Sequence, residues 1–198
     1  VLLLIFQYYS YSSSKNVLNK SILYNQIISD KTNDEFISNI NKLSKDKSFY
    51  GVLSALEGIK YKLNQGDLES AYKDYLYLLE NKKLNTLYKS IISVQASHNF
   101  LNTIDILELK KENNLFVSSD IYKKINILLS YADDSIESIK GIKFEISFLL
   151  LVIEQDYNGD KNLTDDTKKL YEEIQQNDKI SSTIKERVKK IYDFQKYN

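Results

Sequence analysis

No proline interrupts the 198 residues of this chain. Proline removes a backbone donor and breaks helix interiors, so its absence favours long helices joined by short connections. The apolar residues repeat with helical spacing nearly throughout. From Asn16 to Ser29 they fall at Val17, Leu18, Ile22, Leu23, Ile27 and Ile28. A polar break at Asp30 to Asn33 precedes a helix with Phe36, Ile37, Ile40 and Leu43, capped by Asn33 or Asp34. Ser48 reads as the N-cap of a helix from Phe49 to Gln65, followed by a partner from Leu68 to about Asn81. Further helices are expected from Leu84 to Phe100, Ile104 to Leu109, Asp120 to Ser130, Ile136 to Ile153, Thr164 to Gln176 and Ser181 to Gln195. Lys110 to Asn114 and Asp156 to Leu163 read as loops, and Phe148 to Ile153 as the most buried stretch. Short β-like runs such as Leu115-Phe116-Val117 are too brief to build a sheet. The expected fold class is all-α, a right-handed array of antiparallel helix hairpins in the manner of a TPR-like α-solenoid.

The clearest connection is Gly66-Asp67. Glycine supplies the left-handed residue that closes one helix, and aspartate caps the next. Helices joined by so short a turn pack antiparallel. Gly66, Asp67, Leu68, Ala71 and Tyr75 match the second half of a tetratricopeptide repeat: turn, apolar residue, small residue, aromatic. The first helix departs from that pattern, since Ala55 and Gly58 stand where bulkier residues are usual, and the closing proline is missing.

Charge narrows the function. With 27 basic and 27 acidic residues the net charge is zero, without the basic surplus a nucleic-acid binder carries. There is no Cys, hence no disulfide, thiolate nucleophile or Cys-ligated metal. Nor does the chain hold Met, so the expectation is that Val1 is not a natural start and that the N-terminus is trimmed. Val1 to Phe6 is uniformly apolar and runs into Tyr8, Tyr9 and Tyr11, then Ser12-Ser13-Ser14-Lys15. Aromatics between an apolar run and polar residues mark the exit of a transmembrane helix. A span needs about 20 residues, so residues 1–11 are expected to be the end of a truncated membrane helix. Residues 12–33 then form a linker helix, and residues 34–198 the repeat domain.

In this order of parts the chain resembles the YfgM-like ancillary SecYEG translocon subunit family, membrane-anchored tetratricopeptide-like proteins, in a divergent alphaproteobacterial form. The resemblance rests on Val1 to Tyr11, on Leu23-Tyr24-Asn25-Gln26 and on Phe49 to Leu79; the C-terminal half matches only in helix pattern. It implies a single-pass inner-membrane protein with its repeat domain in the periplasm. The partners implied are translocon subunits or periplasmic chaperones, and the family has no catalytic residues to carry over. A structural subunit of an outer-membrane assembly complex is the alternative.

No constellation points to catalysis or to a cofactor. His98 is the only histidine and cannot by itself build a zinc site. Asp156, Asn158 and Asp160 place oxygen ligands at alternate positions, as a calcium loop begins. The continuation departs from that pattern: Gly159 comes two positions early, and Thr167 stands where the bidentate Glu belongs. Asn158-Gly159 reads equally as a plain turn. Asp133-Asp134 and Asp165-Asp166 read as helix N-terminal acids rather than as a catalytic pair. Among the 16 tyrosines, Tyr50, Tyr61, Tyr72 and Tyr75 are the candidates for a protein-binding groove, because tyrosine joins a large apolar ring to a polar tip.

Overall fold

A computed structural model describes residues 2–29, 34–81, 84–111, 115–160 and 162–197. Its side chains are described from Tyr11 onward, with Asp34 and Asn81 also outside the description. The described residues form ten α-helices and one short 3-10 turn, and no strand, so the chain is all-α. Phe116 and Val117 enter the 3-10 turn Phe116–Ser118, with Leu115 as its N-cap in extended backbone. Two compact units are present, Val1–Lys83 and Leu84–Asn198. Their boundary falls inside the segment expected to be one repeat domain.

The first unit contains α1 (Leu2–Ser29), α2 (Asp34–Leu43), α3 (Phe49–Asn64) and α4 (Leu68–Asn81). The expected linker helix is the second half of α1, which continues unbroken from residue 2 and packs on α2 and α3. Ile27 is fully buried against Phe36, Ile40 and Leu43, with Leu23, Tyr24 and Tyr50 around them. Lys20 Nζ lies 2.9 Å from the Asp46 carboxylate, fastening α1 to the turn between α2 and α3. Hydrogen bonding from Ser48, with the Lys20 ammonium second, holds the Asp46 carboxyl down at about 2.

Ser48 does have extended N-cap backbone, but its side chain makes no capping bond. Asp46 accepts the Ser48 amide at 2.7 Å, closing an Asx turn just ahead of the helix. Asn33 lies outside the described residues. Gly51 sits in the first turn of α3, pressed against this connection: a Cβ there would lie 2.0 Å from the Asp46 carbonyl oxygen.

The α3–α4 turn forms as its sequence predicts. Gly66 adopts φ +75°. Its amide donates to the Leu63 carbonyl and the Asp67 amide to the Lys62 carbonyl, each at 3.0 Å, the Schellman pattern that closes a helix at glycine. Asp67 then accepts the Ser70 amide at 3.1 Å and starts α4. Lys62 and Asp74 meet at 2.6 Å across the two antiparallel helices, and Ala71 is fully buried.

The second unit contains α5 (Thr86–Leu101), α6 (Ile106–Lys111), α7 (Asp120–Leu129), α8 (Glu137–Asn158), α9 (Asp165–Gln176) and α10 (Ser182–Tyr197). Side-chain caps set several starts: Asn85 accepts from Tyr88, Ser119 from Tyr122 and Thr164 from Thr167. The start of α5 therefore falls later than Leu84.

α5 and α7 approach closely because serines line their contact. Ser93 and Ser97, both fully buried, donate to the Leu128 and Ile125 carbonyls of α7. Phe148 and Val152 of α8 pack with Ile174 of α9, with Ile180, and with Ile184 and Val188 of α10. One ion pair is set into this core. The guanidinium of Arg187 grips the Glu145 carboxylate with two bonds of 2.6 Å, while the Glu145 side chain is only 8% exposed.

Candidate functional site

The candidate site is a groove of about 660 Å³ in the first unit, between α2, α3 and α4. Its origin is local. α2 turns Phe36, Ile40 and Leu43 into the core and leaves Ile37 facing outward at 39% exposure. Opposite Ile40, α3 carries Gly58, where a Cβ would come within 2.9 Å of an Ile40 methyl. Ala55, one turn earlier on the same face, also lines the groove. The two residues that break the tetratricopeptide pattern thus remove side-chain bulk where the groove forms.

Tyr61 and Tyr77 form its aromatic walls, 36% and 60% exposed. Tyr61 is held by the Phe36 ring, centroids 5.5 Å apart. The Lys62–Asp74 pair lies in the lining with its charges opposed at 2.6 Å. Lys45 and Asp67 also line the groove, and hydrogen bonds from Ser70 hold the Asp67 carboxyl below its usual value.

The four tyrosines marked as groove candidates do not meet in one place. Tyr61 lines the groove. Tyr50 packs with Tyr24 of α1, centroids 6.0 Å apart, in the core cluster under α1. Tyr75 is 2% exposed and belongs to the buried face of α4. Tyr72 is half-buried and is not part of the lining. The tyrosine that faces the groove from α4 is Tyr77, two positions beyond Tyr75 and so on a different face of the helix. Its signal was available, because Ala71, Tyr75, Leu78 and Leu79 define the buried face of α4 and leave Tyr77 outside it.

The calcium pattern meets a helix end, not a loop. α8 runs five residues past the expected end at Ile153, so Asp156 and Asn158 lie in its last turn. Gly159 at φ +76° stops the helix, with the Asp160 amide donating to the Gln155 carbonyl at 3.0 Å. The Asp156 carboxylate accepts from Gln195, and its backbone carbonyl from Lys110. The connection to α9 is pinned by the buried Gln155 side chain, which accepts from the Thr164 amide and from Thr167 Oγ1. Among the described residues no group of three or more His, Asp or Glu side chains is placed to hold a metal ion.

His98 is exposed, its Nδ1 3.1 Å from the Asn102 amide. Asp165 and Asp166 occupy the first turn of α9, as expected for dipole-complementing acids. Asp133 and Asp134 lie before α8 rather than in its first turn. Asp133 accepts the Ser135 amide at 2.8 Å and Asp134 pairs with Lys143, so they shape the turn into α8.

Among the described residues no helix is long and apolar enough to cross a membrane. Comparison with protein families, with curated proteins and with solved structures finds no match.

Proposed function

We propose that this chain is a non-enzymatic helical scaffold that binds a protein segment in the groove between α2, α3 and α4. The observation that carries the reading is the make-up of the groove. Ile37, Ala55 and Gly58 supply an apolar floor, and the exposed Tyr61 and Tyr77 supply rigid aromatic walls. Partly exposed tyrosines beside small apolar residues form the surface that anchors protein contacts, since the rings contribute large area at small entropy cost. The Gly66-Asp67 hairpin supports a TPR-like arrangement of α3 and α4, in which recognition uses a groove between helices.

The resemblance to the ancillary translocon subunits extends this reading. The chain would be held at the bacterial inner membrane through α1, with its helical domain in the periplasm and translocon subunits or periplasmic chaperones as partners. The unbroken course of α1 from residue 2 into the first unit supports such a tether.

The test is a photo-crosslinking amino acid at Tyr77 in the full-length protein in native membranes, with the same group at the exposed Glu172 as control. Translocon subunits or periplasmic chaperones captured from Tyr77 alone support the proposal. Outer-membrane assembly proteins in their place move the assignment to an envelope assembly subunit. Equal yields from both positions refute the groove.

A further inference from the structure

The two ends of the groove differ in charge. α2 and α3 are antiparallel along it: Phe36 meets Tyr61, Ser54 bonds to the Ile40 carbonyl, and Gly51 lies against Asp46. Lys45 therefore marks the end at the start of α3, and Asp67 the end just past its last turn. Between the levels of Gly51 and Gly66, at a helical rise of about 1.5 Å per residue, the groove axis runs about 22 Å.

At the Asp67 end Lys62 pairs with Asp74 and Lys73 with Glu69, and both lysines also act on Asp67, so three carboxylates share two ammonium groups and leave that end negative. At the other end Asp46 is matched to Lys20, and Lys45, the lysine of this turn that lines the groove, leaves it positive. Polar side chains able to hydrogen-bond a peptide backbone, Asn41 and Gln65, also line the groove. An extended segment needs such partners, because it does not satisfy its own backbone as a helix does.

We propose that the groove takes an extended apolar segment of about seven residues from a partner protein, with an acidic residue at the Lys45 end and a basic residue at the Asp67 end. This rests on the groove being the protein-binding site. Apolar contact with Tyr61, Tyr77 and Ile37 supplies affinity, and the end charges set orientation and choice of partner.

Three fluorescein-labelled heptapeptides sharing the core Leu-Phe-Ala-Leu-Phe test it against the whole chain by fluorescence anisotropy. One carries Glu and Lys at its ends, one two Glu and one two Lys. The mixed peptide binds the parent about fivefold more tightly than either like-charged peptide, and the gap closes as salt is raised. Lys45→Glu makes both ends acidic, and the peptide with two Lys then becomes the tightest of the three.

Tyr77→Ala, at an exposed position, separates the two readings by weakening all three peptides alike. If it does so while Lys45→Glu leaves the order unchanged, the groove stands and its charge polarity is refuted. If Tyr77→Ala leaves all three unaffected, or if no peptide binds the parent, the groove and the polarity fall together.

Discussion

Replacing Gly51 by alanine sets two effects of opposite sign against each other. Gly51 lies within α3, where alanine is intrinsically better than glycine by about 1 kcal/mol. On propensity alone the variant is more stable. The packing says otherwise, because the new Cβ would stand 2.0 Å from the Asp46 carbonyl oxygen and 3.0 Å from that of Leu43. Both obstacles are backbone, so no rotamer change relieves them. The turn between α2 and α3 has to withdraw by about 1 Å to restore ordinary contact.

That withdrawal strains three interactions. They are the Asp46 amide to the Leu43 carbonyl at 2.9 Å, the Ser48 amide to Asp46 at 2.7 Å, and the Lys20–Asp46 pair at 2.9 Å. Two hydrogen bonds at about 1 kcal/mol each and a partly exposed ion pair at about 0.5–1 kcal/mol give a loss near 3 kcal/mol. Net of the helix gain, Gly51→Ala is destabilising by about 2 kcal/mol.

Gly66→Ala is the contrast. Nothing lies within 4 Å of its Cβ, so only the left-handed backbone at φ +75° is strained, costing about 1–2 kcal/mol. Urea unfolding followed by far-UV circular dichroism measures both. A Gly51→Ala variant as stable as the parent, or more so, refutes the close approach of this turn to α3.

Three further outcomes follow from the packing. Arg187→Ala leaves the Glu145 carboxylate buried without its partner and costs about 3 kcal/mol; pairing it with Glu145→Leu recovers part of that loss in the same unfolding assay. Ser97→Leu forces a large side chain between α5 and α7 and costs about 3 kcal/mol, whereas Ser97→Ala costs about 1 kcal/mol, so equal melting temperatures contradict the close contact. The Asp46 carboxyl is lowered from 3.8 to about 2, so its contribution is complete above about pH 4 and is lost as pH falls through about 2. Discounted for solvent screening it is about 1 kcal/mol, visible as a larger stability loss from pH 5 to pH 2 in the parent than in Asp46→Asn.

The sequence by itself determined that the chain is helical and where most helices lie. It holds no proline, its apolar residues repeat at helical spacing, and Gly66-Asp67 carries its whole conformational reason in two adjacent residues: a left-handed stop and an aspartate cap. Such features are legible because helix periodicity and capping act over a few neighbouring positions. Where the local reading differed, the cause lay close by: Asp46 orders the turn before α3 through the Ser48 amide while the Ser48 hydroxyl caps nothing, and left-handed Gly159 ends α8 five residues past Ile153.

Only the tertiary structure decided which tyrosine does what. Tyr50, Tyr61, Tyr75 and Tyr77 have the same chemistry and similar surroundings in sequence. Their separation into core and groove depends on which helix covers each, and that depends on contacts between distant positions. Gly58 reads as a flaw in a repeat until Ile40 is found against it. Glu145 and Arg187 stand 42 positions apart and meet because α10 returns along α8. Periodicity tells which face of a helix is apolar, but the partner of that face is chosen by the packing of the whole unit.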